Sequence, residues 1–208
     1  MEDAKQKSEI ANQKSEIANQ KWSQMNPLNR DDIWQLLCEY TQSDLLRKHC
    51  LAVEAAMKWY ARKFGEDESL WSNIGLVHDF AYEKFPDQHP QKDGEILREL
   101  GFPEDWVRVV RSHGDALNIP RVTALEKTLY AVDELTGLVI AVALVRPSRK
   151  IADVDVAAVK KKWKDKAFAR GVNREEIAKG AEALGVPVDE HIGNVIEALK
   201  GVADVLGV

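Results

Sequence analysis

Two cysteines in 208 residues cannot build a disulfide framework, and Cys38 and Cys50 lack the CxxC spacing of a metal knuckle or redox pair. They read as reduced core thiols, the state expected of a cytoplasmic protein. Long apolar runs are missing too. The longest, Leu138 to Val145, falls far short of the roughly 20 residues that span a bilayer, so no membrane association is expected. No secretory signal pattern is visible. An excess of either charge is also absent. Lys and Arg number 29 against 34 Asp and Glu, for a net charge of -5, which argues against a nucleic-acid polymer as partner. A small phosphorylated or anionic ligand stays compatible, because only the field at a site matters to it. Alternating apolar and polar residues, the mark of half-buried strands, are nowhere convincing.

What is present has a helical period. Asp31 to Gln42 carries Ile33, Leu36 and Leu37 behind an acidic first turn. Ser43 can cap a helix that runs to about Phe64 and stops at Gly65, with Leu46, Cys50, Val53, Ala56 and Met57 on one face. Further helices are expected over Asp67–Phe80, His89–Leu100, Pro103–His113 and Pro120 to about Val145. The last of these ends in a Val-rich stretch with strand propensity. No turn signal separates that stretch from the helical pattern before it, so it reads as helix. Val154–Ala169, Asn173–Leu184 and Val188–Leu206 complete the chain, punctuated by Gly and Pro. The fold class is therefore all-α.

Residues 1–24 stand apart. Lys7 to Gln13 repeats identically as Lys14 to Gln20. Ile10 and Ile17 recur at one heptad position, but the second seam position is poor and two heptads are short for a coiled coil. The segment reads as a tag, an engineered helix or a solvated N-terminal helical extension, and self-association through the heptads would follow if it does pair. Residues 25–208 form the main domain.

The chemistry concentrates in a few residues. His78 and Asp79 are adjacent at the end of a predicted helix, His49 lies upstream beside an apolar face, and Asp133 lies downstream in Ala131-Val132-Asp133-Glu134-Leu135. Imidazoles and carboxylates together suit one or two divalent transition metals (Mn, Fe, Ni, Co or Zn) without selecting sharply among them. The bland alternative is a buried His–Asp pair that ties two helices.

The order H…HD…D resembles the HD superfamily of metal-dependent phosphohydrolases, whose fold is a helical bundle. His89, opening His89-Pro90-Gln91-Lys92-Asp93-Gly94-Glu95-Ile96-Leu97, is similar to the HPxxGAxIL segment of members that bind two metals, and His113 ends the next helix. The resemblance implies a first metal on His49, His78, Asp79 and Asp133. Asp79 would bridge, and His89 and His113 would complete a binuclear site. Their bland readings are a polar helix-start residue and a His⁺ at a helix C-terminus. Residues from about 30 to 206 further resemble a bacterial and archaeal group of HD-domain proteins, through Ala131 to Gly137, Val145-Arg146-Pro147-Ser148 and Phe168 to Arg174. That group commonly reads HDxDYE, where Ala81 stands here in place of the second acid. Asp93 stands where HPxxGAxIL has Gly, and Gly94 follows it.

The resemblance implies a hydrolase that cleaves a phosphate mono- or diester, a nucleotide among the options, with metal-activated water. Alternatives are a non-catalytic binding protein on the same scaffold and a di-iron oxygenase. Asp79 and Glu83 are the candidate catalytic residues, with Glu83 as general acid or base or else a cap. Lys48, Arg146 and Lys161 are the candidate anion-binding residues. His191, in Asp189-Glu190-His191, is expected at the surface.

Overall fold

The computed structural model describes residues 29–208, and the repeated heptads lie outside them. Every regular element among the described residues is helical, as expected, and there is no strand. Helices α1 (Arg30–Tyr40), α2 (Asp44–Phe64) and α3 (Glu68–Val77) come first. Then follow α4 (Gln91–Glu99), α5 (Glu104–Ser112) and the long α6 (Ala124–Leu144). The C-terminal part holds α7 (Val156–Trp163), α8 (Arg174–Leu184), α9 (Val188–Lys200) and α10 (Ala203–Leu206).

Local chemistry sets the boundaries. The Ser43 hydroxyl accepts from Leu46 N–H, and Gly65 ends α2 in the left-handed region at φ 73°. Asp67 Oδ1 accepts from the amides of Ser69 and Leu70 at the start of α3. Thr123 and Glu126 form a reciprocal capping box, so α6 begins four residues later than Pro120. The Val-rich end of α6 is helical and keeps the helical period: Leu135, Leu138, Val139, Val142 and Ala143 are buried, while Ile140, Ala141 and Leu144 face a groove on the other side. The expected helix 188–206 is broken at Gly201 into α9 and α10.

Helix α6 is the axis of the core, and α2, α5, α8 and α9 pack around it. Two close crossings fix the geometry. A Cβ on Gly75 would lie 3.0 Å from Val53 O, so α3 presses directly onto α2. A Cβ on Gly180 would lie 2.5 Å from Ala131 Cα, so α8 presses onto α6 two residues before Asp133.

His191 is a correction. It is not at the surface but fully buried. Its Nε2–H donates to Ala131 O at 2.8 Å, and its Nδ1 accepts from the Tyr60 hydroxyl at 2.6 Å. One imidazole therefore ties α9 to α6 and α2 and satisfies two polar groups in the core. Burial pushes its pKa down and keeps it neutral.

Candidate metal centre

Five separate stretches deliver six side chains to one place. His49 comes from the first half of α2. His78 and Asp79 follow directly after α3, where the chain leaves the regular helix in a series of tight turns. His89 precedes α4, His113 caps the C-terminus of α5, and Asp133 sits midway along α6. Their donor atoms form three overlapping groups, each within 4.8 Å: His49 with His78 and Asp79, His78 with His113 and Asp133, and Asp79 with His89 and His113.

The histidines are oriented for ligation. His78 Nδ1 lies 2.8 Å from Gly75 O, and His113 Nδ1 lies 2.5 Å from Val110 O. A carbonyl only accepts, so each Nδ1 carries the proton and each Nε2 presents its lone pair inward. His89 is set the same way by a carboxylate, since its Nδ1 lies 2.9 Å from Asp93 Oδ2. Two such lone pairs, His89 Nε2 and His113 Nε2, then face each other at 3.0 Å. His49 Nε2 and His78 Nε2 approach to 3.3 Å. Facing lone pairs repel unless a proton or a metal cation lies between them.

Asp79 is the shared group. Its Oδ2 lies 3.6 Å from His49 Nε2. Its Oδ1 lies 3.4 Å from both His78 and His89 Nε2 and 3.3 Å from His113 Nε2. This Oδ1 is buried and accepts no hydrogen bond of normal geometry, an orphan that a cation would satisfy. Asp133 Oδ1 lies 3.0 Å from His49 Nε2 and 3.4 Å from His78 Nε2. Ligands about 2.1 Å from an ion lie about 3.0 Å apart at adjacent octahedral corners and about 3.4 Å apart in a tetrahedron. The six donors have that spacing, so the residues present fit divalent transition metal.

The electrostatics agree. Burial alone would raise both carboxyl groups. For Asp79 the imidazoles of His78 and His113 overcome burial, and for Asp133 those of His49 and His78 do, so both carboxylates sit well below the usual range. Burial would likewise lower His78, but Asp79, Asp133 and the Gly75 carbonyl outweigh it and raise it to about 9. Without metal, protons fill the site.

Beside the donors is a cavity of about 380 Å³, bordered by Tyr82, Glu134, Val172 and Glu176. Among the described residues, no Lys or Arg lines it. The candidate anion-binding residues are elsewhere. Lys48 pairs with Asp44 at 3.3 Å and borders a neighbouring groove. Arg146 and Lys161 meet, but around a separate cavity of about 690 Å³ past the C-terminus of α6, roughly 18 Å along the helix from Asp133. The Glu83 carboxylate takes the capping role, accepting from the amides of Gln42 and Ser43 at 2.9 and 2.8 Å before α2.

Three residues enter that the sequence did not assign to the site. Asp93, noted only as a departure, is fully buried and holds His89 with one oxygen and the Ala81 amide, at 3.0 Å, with the other. Its signal is there in hindsight, because Asp93, Ile96 and Leu97 form one buried stripe of α4. Glu134 faces the cavity with one oxygen 3.1 Å from the Asn173 amide. Burial and the adjacent Asp133 charge raise its pKa to about 7. Glu176 arrives from α8, and nothing local announced it; burial and the Asp115 charge raise it as well.

Among the described residues, no helix is long and apolar enough to cross a membrane. No curated protein and no solved structure matches the chain. Residues 46–138 match the family model described as HD domain, and all six donors fall inside that stretch.

Proposed function

From the premise that the chain carries an HD domain, we propose that the six donors hold two divalent transition-metal ions and that the site hydrolyses a phosphate mono- or diester. The observation that carries this reading is the convergence of four inward-facing Nε2 atoms on the two oxygens of one carboxylate, Asp79, one of them otherwise unpaired. When bound, such ions supply positive charge for a phosphoryl oxygen and acidify water for attack on phosphorus.

Charge balance supports two ions over one. Among the described residues, the cavity has no Lys or Arg to hold phosphate. One divalent ion would be cancelled by Asp79 and Asp133, whereas two leave positive charge over these two carboxylates to attract a phosphate. Glu134 is the group placed to hold the proton of an attacking water, since its Asn173 contact occupies one oxygen only. As the water oxygen bonds to phosphorus, the bond from phosphorus to the alcohol oxygen breaks, and that proton passes to the departing alkoxide. Tyr82, edge-on to His89 with ring centroids 5.1 Å apart, forms one wall of the cavity.

The test is turnover of p-nitrophenyl phosphate and bis(p-nitrophenyl) phosphate by protein reconstituted with manganese, nickel or cobalt. Asp79→Ala is expected to lose both metal and turnover. Turnover that persists once the metal is gone contradicts the proposal.

A further inference from the structure

Beside the metal cavity lies a larger concavity of about 860 Å³. His49, Tyr82 and Gly137 belong to the walls of both. The larger groove is built from Leu46 on α2, from Ile140, Ala141 and Leu144 on α6, and from Leu206 and Val208 at the C-terminus. Lys48 is the one Lys or Arg in its lining among the described residues. Its rim leaves apolar surface in water, since Leu45 is 79% and Leu144 44% exposed.

We propose that this groove receives the organic group of the substrate, and that the substrate is a phosphate ester of an alcohol with an aliphatic or aromatic body. The inference rests on the phosphohydrolase reading for its phosphoryl end. Continuity supplies the first argument. His49 is both a donor of the centre and a wall of the groove, so an ester held at the donors has the groove directly beside it. Size supplies the second, because the volume falls in the range of small-molecule sites lined mainly by apolar side chains. Polarity supplies the third. Apolar side chains dominate the lining, and of the polar ones Ser43 caps α2, Glu83 accepts from the Gln42 and Ser43 amides and Lys48 pairs with Asp44, so a sugar phosphate finds few free partners for its hydroxyls. An alkyl or aryl group instead removes exposed leucine from water. Because the groove shares the His49 wall with the donors, it suits a ligand that ends in phosphate better than the flat face of another protein.

Alkyl phosphates separate this from the underlying activity, because methyl, butyl and octyl esters have leaving groups of similar basicity. With metal-loaded full-length protein, kcat/KM is expected to rise about fourfold per methylene over the first few carbons. Affinity for the matching alkylphosphonates, which cannot hydrolyse, rises in parallel by calorimetry. Ala141→Trp, which fills the groove, flattens both series. Leu144→Asp at the half-exposed rim does the same and covers the case in which the Trp variant fails to fold. Esters hydrolysed at equal rates, with phosphonates bound equally, overturn the groove assignment and leave the hydrolase reading standing. Phosphonates bound more tightly with length, with no ester hydrolysed, uphold the groove and overturn the hydrolase reading. A flat series in a protein whose dimer dissociates on Leu45→Asp assigns the groove to a second copy of the chain and overturns the proposal.

Discussion

Replacing Asp93 with Asn should cost the second metal and little else. Asp93 is fully buried and accepts two hydrogen bonds, from His89 Nδ1 at 2.9 Å and from the Ala81 amide at 3.0 Å. An Asn has the same size but only one acceptor oxygen. One of the two N–H groups must then face an NH₂ and lose its partner. If that group is His89 Nδ1, the ring loses both its orientation and the carboxylate that makes it a better donor. A hydrogen bond to a charged group contributes about 1.5–3 kcal/mol. A drop of about 10- to 100-fold in metal affinity, or about 1.4–2.7 kcal/mol, follows. Calorimetric titration of metal-free protein reads this directly. The weakened event should be the one that His89 and His113 support, while binding at His49, His78 and Asp133 stays close to wild type. The exchange Ala81→Asp with Asp93→Gly supplies a further check. The Ala81 amide touches the Asp93 carboxylate, so an acid at 81 can approach the same space from the opposite side, and it should recover most of the affinity. Unchanged titrations for Asp93→Asn would refute the claim that this carboxylate supports a metal ligand.

Two other perturbations follow from the same geometry. Glu134→Gln keeps the Asn173 contact but removes the proton acceptor, so kcat should fall by about 100-fold or more with KM little changed; a loss confined to KM would contradict the role. His191 has a folded-state pKa below its ordinary value, so the unfolded chain binds its proton more readily. Its contribution to stability is complete above about pH 6.5 and is lost as the pH falls below that. Metal-loaded His191→Gln should be less stable than wild type at neutral pH, with a shallower loss of stability between neutral and acidic pH in urea titrations; parallel curves would count against it.

How far the sequence reaches is clearest at particular residues. Ser43, Gly65 and Asp67 act within a few residues of themselves, so the helix ends they specify were legible, whereas the Thr123–Glu126 box that starts α6 four residues after Pro120, the turns after α3 and the break at Gly201 were not. His191 was misread because acidic neighbours suggested surface. The period was the better guide, since Val188, His191, Ile192, Val195, Ile196 and Leu199 form one stripe. Ala81 and Asp93 stood out as separate departures from a family pattern, and only the fold reveals that they touch. Glu176 and Val172 reach the cavity through the Gly180–Ala131 crossing, a contact between segments far apart in sequence that no local pattern encodes. Arg146 and Lys161 were expected near the donors because their stretch follows the ligand helix. The straight run of α6 carries them away instead.

Metal content per chain tests the central claim most directly, measured by elemental mass spectrometry on protein purified without chelators. About two transition-metal ions per chain are expected, falling to about one in His89→Ala. A single ion in the wild type would contradict the binuclear site, and none after reconstitution would contradict the metal centre itself.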